Sequence, residues 1–238
     1  MAYELQYSSA SPGLLILLTD ELEESVQIVN SIIDKEISIH FDGAAPRNRC
    51  FISVIGYNHN VKELCSGWLK DLATRPLRFE NLKKKMSDGT GGIVEVDVKQ
   101  PIWVEPTQVQ PSKFGNYAEA VNLARELCIK WSETIQWSPA PLVIDCANEC
   151  YADCAKYEIE QLKAIKTTDG NVLFFGSFSN YVEPTSRLYS SLPTEWKWNI
   201  DRQGWDLYSI DINNGVFNRC QLLSIIEAVT YSGARACT

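Results

Sequence analysis

Three cysteines stand four residues apart, Cys146, Cys150 and Cys154. Thiols this close can hold Zn²⁺ or an iron–sulfur cluster when a fourth ligand joins them. The spacing is not that of a Cys-x-x-Cys knuckle. The three positions fall at a strand end, in a loop and at a helix start, so the segment reads first as free thiols, with a metal or redox site as an alternative. His40 and His59 are the only histidines, and neither adjoins a nucleophile motif of the Gly-x-Ser-x-Gly type. Asp88-Gly89-Thr90-Gly91-Gly92 imitates a phosphate loop. It lacks the Lys-Ser/Thr ending and does not lead from a buried strand into a helix, so it predicts a hairpin turn. No acid–base or nucleophile constellation assembles, and the expected class is not an enzyme.

The carboxylates are placed more suggestively. Asp20 follows the apolar run Leu14-Leu15-Ile16-Leu17-Leu18, and Asp145 closes Pro141-Leu142-Val143-Ile144. Each run reads as a strand buried on both faces, as in a parallel sheet. Asp20 and Glu24 then follow the first such strand, and Asn148 and Glu149 follow the second. In open α/β sheets that edge is where ligands bind. The simplest structural role for Asp20 is to cap the helix that follows.

The elements that position these groups alternate. A helix is predicted through Val26, Val29, Ile32 and Ile33, with Glu21, Glu23 and Glu24 at or before its first turn, where negative charge suits the helix dipole. A strand runs from Phe51 to Tyr57, and a helix is predicted near Leu64 to Leu72. Lys83 to Gly92 reads as a polar loop, followed by an edge strand at Ile93, Val94, Val96 and Val98, then a proline-rich loop from Pro101 to Pro111. Tyr117 to Ile135 has strong helical spacing, and Ile159, Leu162 and Ile165 mark another helix that ends before Asp169-Gly170. Val172 to Phe175 and Leu207 to Ile212 suggest strands, and Leu222 to Val229 a final helix. The pattern predicts one α/β domain over residues 1–238, with a mostly parallel central sheet and helices on both faces. An aromatic-rich insertion near 181–208 includes Trp196, Trp198 and Trp205, read as side chains that pin a loop to the sheet or as a docking patch.

The chain carries 22 Lys and Arg against 30 Asp and Glu, a net charge of −8. That balance disfavours a nucleic-acid partner, which needs a concentrated basic face. The N-terminus lacks the basic and apolar regions of a signal peptide, and Leu14–Leu18 is too short to span a bilayer. The expectation is a cytoplasmic protein with reduced thiols and no membrane partner.

Segment order and wording resemble the von Willebrand factor A (VWA) domain, in particular small bacterial intracellular versions. The stretches that carry this are Leu14 to Asp20 with Val29-Asn30, Arg49 to Tyr57, Asp88 to Val98 with Pro101 to Pro106, Pro141 to Asp145 with Gly170 to Phe175, and Phe217-Asn218 with Leu222 to Ile226. The resemblance implies a doubly wound, Rossmann-like fold. It also implies a metal-ion-dependent adhesion site built from three loops, and here all three depart from the family pattern. The Asp-x-Ser-x-Ser loop reads Asp20-Glu21-Leu22-Glu23-Glu24, Gly115 beside Asn116 takes the place of the second loop's threonine, and Ala147-Asn148-Glu149 replaces Thr-Asp-Gly. Mg²⁺ requires several oxygen ligands in tight octahedral geometry. Leu22 offers none, Gly115 only backbone and Asn148 no charge, so the expectation is a degenerate site without metal or other cofactor. What remains is a non-catalytic protein-binding surface lined by Asp20, Leu22, Glu24, Gly115, Asn116, Asn148 and Glu149. By resemblance its partners are bacterial signalling or stress-response proteins such as kinases or phosphatases. The alternative is metal-dependent ligand binding at a site rebuilt from Asp20, Glu24 and Asp145.

Overall fold

The computed structural model describes residues 7–87, 89, 91–108, 116–135, 139–147 and 152–176. The predicted elements at 207–212 and 222–229, the tryptophans of the 181–208 segment, Gly115, Asn148, Glu149 and Cys150 lie outside these residues.

A five-stranded sheet forms the centre. Strand β1 (Gly13–Thr19) is flanked by parallel β2 (Cys50–Gly56) and parallel β6 (Leu142–Asp145). Beyond β6 lies parallel β9 (Leu173–Gly176), and beyond β2 lies antiparallel β3 (Lys62–Trp68). The spatial order is β3-β2-β1-β6-β9. The fold is therefore α/β with a mixed, mostly parallel sheet.

Alternation along β1 explains its unbroken apolar run. Leu15 and Leu17 pack with Val26, Val29, Ile32 and Ile33 of helix α1 (Glu23–Ile39), with Leu69 and Leu72 of the short helix α2 (Leu69–Thr74), and with Trp103. Leu14, Ile16 and Leu18 pack with Tyr117, Ala120, Val121 and Ala124 of α3 (Tyr117–Thr134) and with Leu162 of α4 (Lys156–Lys163). A strand covered on both faces has no solvent side to mark with polar residues.

Two expectations are corrected. The helix predicted at Leu64 to Leu72 is strand β3 up to Trp68 and helical only from Leu69. The spacing of Leu64, Trp68 and Leu72 imitates a helix, but the first half pairs with the open edge of β2, where Phe51 meets Trp68 and Ser53 meets Ser66. The polar loop predicted from Lys83 is likewise a strand to Ser87: β4 (Arg78–Ser87) pairs antiparallel with β5 (Ile93–Ile102) as a separate two-stranded ribbon. Its polar residues misled because both faces of the ribbon carry exposed side chains. The expected hairpin turn joins the two strands, with Gly89 and Gly91 at φ 79° and 96°, a conformation glycine adopts at least cost. A second, two-residue ribbon pairs β7 (Lys166–Thr167) with β8 (Gly170–Asn171), and a 3₁₀ turn at Ala152–Ala155 precedes α4.

The segment after β5 is locked by one buried side chain. Asn30 of α1 accepts the N–H groups of Trp103 and Val104 at 2.9 and 3.1 Å and donates to the Val104 carbonyl at 2.9 Å. The Trp103 indole N–H donates to the Leu72 carbonyl at 2.8 Å. Irregular backbone can be buried here because these groups satisfy its donors and acceptors.

Candidate functional site

The C-terminal ends of β1, β2 and β6 come together. Tyr57 N–H donates to the Thr19 carbonyl at 3.0 Å and Cys146 N–H to the Leu18 carbonyl at 2.9 Å. β1 has β2 on one side and β6 on the other, and in open α/β sheets the crevice that binds ligands forms beyond strand ends so placed.

Asp20 enters this crevice buried, 1% exposed. Its Oδ1 accepts the N–H of Leu22 at 3.1 Å, and its backbone carbonyl accepts the side-chain amide of Asn58 at 3.0 Å. Helix α1 begins at Glu23 with Leu22 as N-cap and no side-chain cap. Asp20 therefore forms an Asx turn one residue ahead of the helix and does not cap it directly.

Glu21 is the pivot of the loop. It is a non-glycine residue at φ 61°, a left-handed conformation that costs energy and recurs at functional sites. Its carboxylate is buried, accepting the Asn58 N–H at 3.2 Å and facing the Lys62 ammonium at 3.6 Å. Its carbonyl accepts the Thr107 N–H at 2.8 Å. Gly56 makes room: a Cβ there would sit 2.7 Å from Glu21 Oε1 and 2.9 Å from Leu64 Cδ1. Gly56→Ala is expected to displace the Glu21 carboxylate and destabilise the fold by about 1–3 kcal/mol, read as a lower urea midpoint with unchanged m-value.

Asp145 closes the crevice from the β6 side, 1% exposed. Its Oδ1 accepts the Tyr57 hydroxyl and the Ala147 N–H, each at 3.2 Å. Tyr117, edge-on to Tyr57 at 5.2 Å, brings a second hydroxyl to the same carboxyl. Burial pushes the Asp145 carboxyl up to about 7. The hydrogen bonds from Ala147, Tyr117 and Tyr57 oppose that rise, and the nearby Asp20 adds to it. Cys146, next in the chain, is also buried, and desolvation followed by Asp145 and Asp20 holds its thiol well above the usual range. A thiol so held is not a nucleophile at neutral pH.

The structure thus brings Asp20 and Asp145 into one electrostatic neighbourhood and adds Asn116, whose side-chain amide donates to the Asn58 carbonyl at 3.1 Å. Leu22 is half-buried and Glu24 lies exposed on the first turn of α1. Glu21, Tyr57, Asn58, Lys62 and Tyr117 belong to the site and were not singled out by sequence reasoning. Tyr57 and Asn58 were within reach of it, because residues that directly follow a parallel strand fall at this crevice.

The first loop, the one of the three that lies wholly among the described residues, offers an adhesion-site Mg²⁺ few oxygen ligands. One Asp20 oxygen holds a backbone amide, Leu22 brings no oxygen, and among the described residues no group of three His, Cys, Asp or Glu side chains is placed to hold a metal ion. Cys146 is buried while Cys154 is exposed on the 3₁₀ turn. No helix among the described residues is long and apolar enough to cross a membrane. A scan against protein-family models gives no match, and neither does a search of curated proteins.

Proposed function

We propose that this chain is a non-catalytic protein-interaction module on a doubly wound, VWA-like scaffold, and that its strand-end crevice works without the metal of that family. Two features support the scaffold reading: the order β3-β2-β1-β6-β9 with only the edge strand β3 antiparallel, and the separation of α1 and α2 from α3 and α4 into two clusters. The free thiols of Cys50, Cys65, Cys128, Cys146 and Cys154 suit a reducing, cytoplasmic setting.

One observation carries the functional reading. The carboxylates of the crevice are turned inward onto the protein's own groups: Asp20 onto Leu22, Glu21 onto Asn58 and Lys62, Asp145 onto Tyr57 and Ala147. They brace the loops instead of presenting oxygens to an ion. The braced loops hold Leu22, Glu24 and Asn116 at the rim, where an apolar side chain, a carboxylate and an amide offer a partner protein mixed contacts. The partner class is a component of a signalling or stress-response complex.

The test is co-purification of tagged wild-type chain and a Leu22→Arg/Glu24→Arg variant at near-native expression. The expected result is one protein retained by wild type and reduced at least about tenfold by the variant, since charge reversal at a small interface removes its centre. Equal retention by both, with circular dichroism showing both folded, rejects this surface.

A further inference from the structure

Asn58 joins three separate pieces of chain at the C-terminal end of the sheet. It lies two residues beyond β2 and is 1% exposed. Its side-chain amide donates to the Asp20 carbonyl at 3.0 Å, and its backbone N–H donates to the Glu21 carboxylate at 3.2 Å. Its carbonyl accepts the Asn116 side-chain amide at 3.1 Å. The loop after β1, the loop after β2 and the start of α3 therefore meet on one residue. Glu21 extends the connection. Its carboxylate also faces Lys62 of β3 at 3.6 Å, and its carbonyl accepts the Thr107 N–H at 2.8 Å, which ties in the segment after β5.

Two features oppose independent movement of these pieces. Withdrawing the first loop alone strands the Asn58 side-chain amide and N–H in a buried place, and withdrawing Asn58 alone strands the Asp20 carbonyl. Glu21, at φ 61°, keeps its left-handed backbone only while its surroundings over-determine it, so release of its partners lets the loop relax. Bonds that orphan one another's groups when broken singly are broken together. We infer that Asn58 makes the crevice a single conformational unit, in which the β1–α1 loop, the β2–β3 loop, the start of α3 and the Thr107 segment open and close as one. On the crevice reading above, a partner then meets the whole rim, Leu22 and Glu24 on one side and Asn116 on the other, or none of it. That consequence rests on the reading; the unit itself does not, and its test needs no partner.

Amide hydrogen exchange of the full chain, resolved residue by residue by NMR, tests it. The N–H groups of Leu22, Asn58 and Thr107 report from three loops, and those of Leu22 and Thr107 make no bond to Asn58. Corrected for intrinsic rates, the three are expected to share one protection factor in wild type, lower than that of the β1 core amides. Asn58→Ala and Asn116→Ala each remove one side-chain bond of the hub and should speed all three amides by one common factor of about ten. Ile33→Val, in the core under the later turns of α1, should speed the β1 amides and leave the three unchanged. Unequal protection of the three in wild type overturns the inference, as does exchange of all three at the β1 rate. A variant of the hub that speeds only some of the three, or an Asn116→Ala variant that speeds none, also overturns it. If Asn58→Ala does not fold, Asn116→Ala decides by the same criterion.

Discussion

Asn30→Ala is expected to lower the free energy of unfolding by about 3–5 kcal/mol, with a matching fall in the urea midpoint. The substitution removes three buried hydrogen bonds and leaves the Trp103 and Val104 amides and the Val104 carbonyl without the groups that satisfied them. Each orphaned group in a dry interior costs about 1–3 kcal/mol. Partial relief comes only if Trp103 moves outward, which gives up its indole bond to Leu72 and its own burial. Asn30→Asp separates the contributions: the carboxylate still accepts both amides but cannot donate to Val104, and it buries a charge. It should therefore also destabilise, and more so above pH 6 than below pH 4. A loss under about 1 kcal/mol for Asn30→Ala would show that the segment is held by its apolar packing alone.

The second large effect concerns pH. Asp145 titrates near 7 in the folded protein against an ordinary value of 3.8, chiefly because it is buried. Between those values the folded state holds a proton that the unfolded state has released. This group therefore favours folding most below pH 4, and its contribution is lost as pH rises toward 7. The sign is opposite to that of a salt-bridged carboxylate. About three pH units at 1.36 kcal/mol each gives a loss of about 4 kcal/mol from this one group across the window. Asp145→Asn removes the titration but keeps an oxygen for Tyr57 and Ala147. Its unfolding free energy at pH 8 should exceed that of wild type by about 2–4 kcal/mol, and the gap should close as pH falls to 4. Urea titrations at pH 4, 6 and 8 measure this. A wild-type slope that survives in Asp145→Asn assigns the proton elsewhere.

Legibility in the sequence followed burial. β1 and β6 were plain because strands covered on both faces become uninterrupted apolar runs, and α1 and α3 because each buries one stripe. β3 and β4 were not, because an edge strand and a free ribbon leave polar residues where a core strand would not. Lys83 in the middle of β4 looks like loop until its cross-strand partner Asp97 is known. The site divides the same way. Asp20 was marked through the family resemblance, and Asp145 only as a ligand of the alternative metal site. The hold of Asn58 on Glu21 and of Tyr57 on Asp145 joins residues far apart in the chain, and nothing local announces such bonds. The left-handed backbone of Glu21 was equally hidden, because glutamate carries no signal for it as glycine would.

The central place of β1 has a consequence for synthesis. One edge of this strand finds β2 soon after it leaves the ribosome, but the other waits for β6, which lies beyond the ribbon and α3. Until Leu142–Asp145 emerges, this strand, apolar from Leu14 to Leu18, has a bare row of amides and carbonyls on one side. At translation speeds of about 5–20 residues per second that interval lasts several seconds. Nascent chains stalled between α3 and β6 are the species that chaperones must shield.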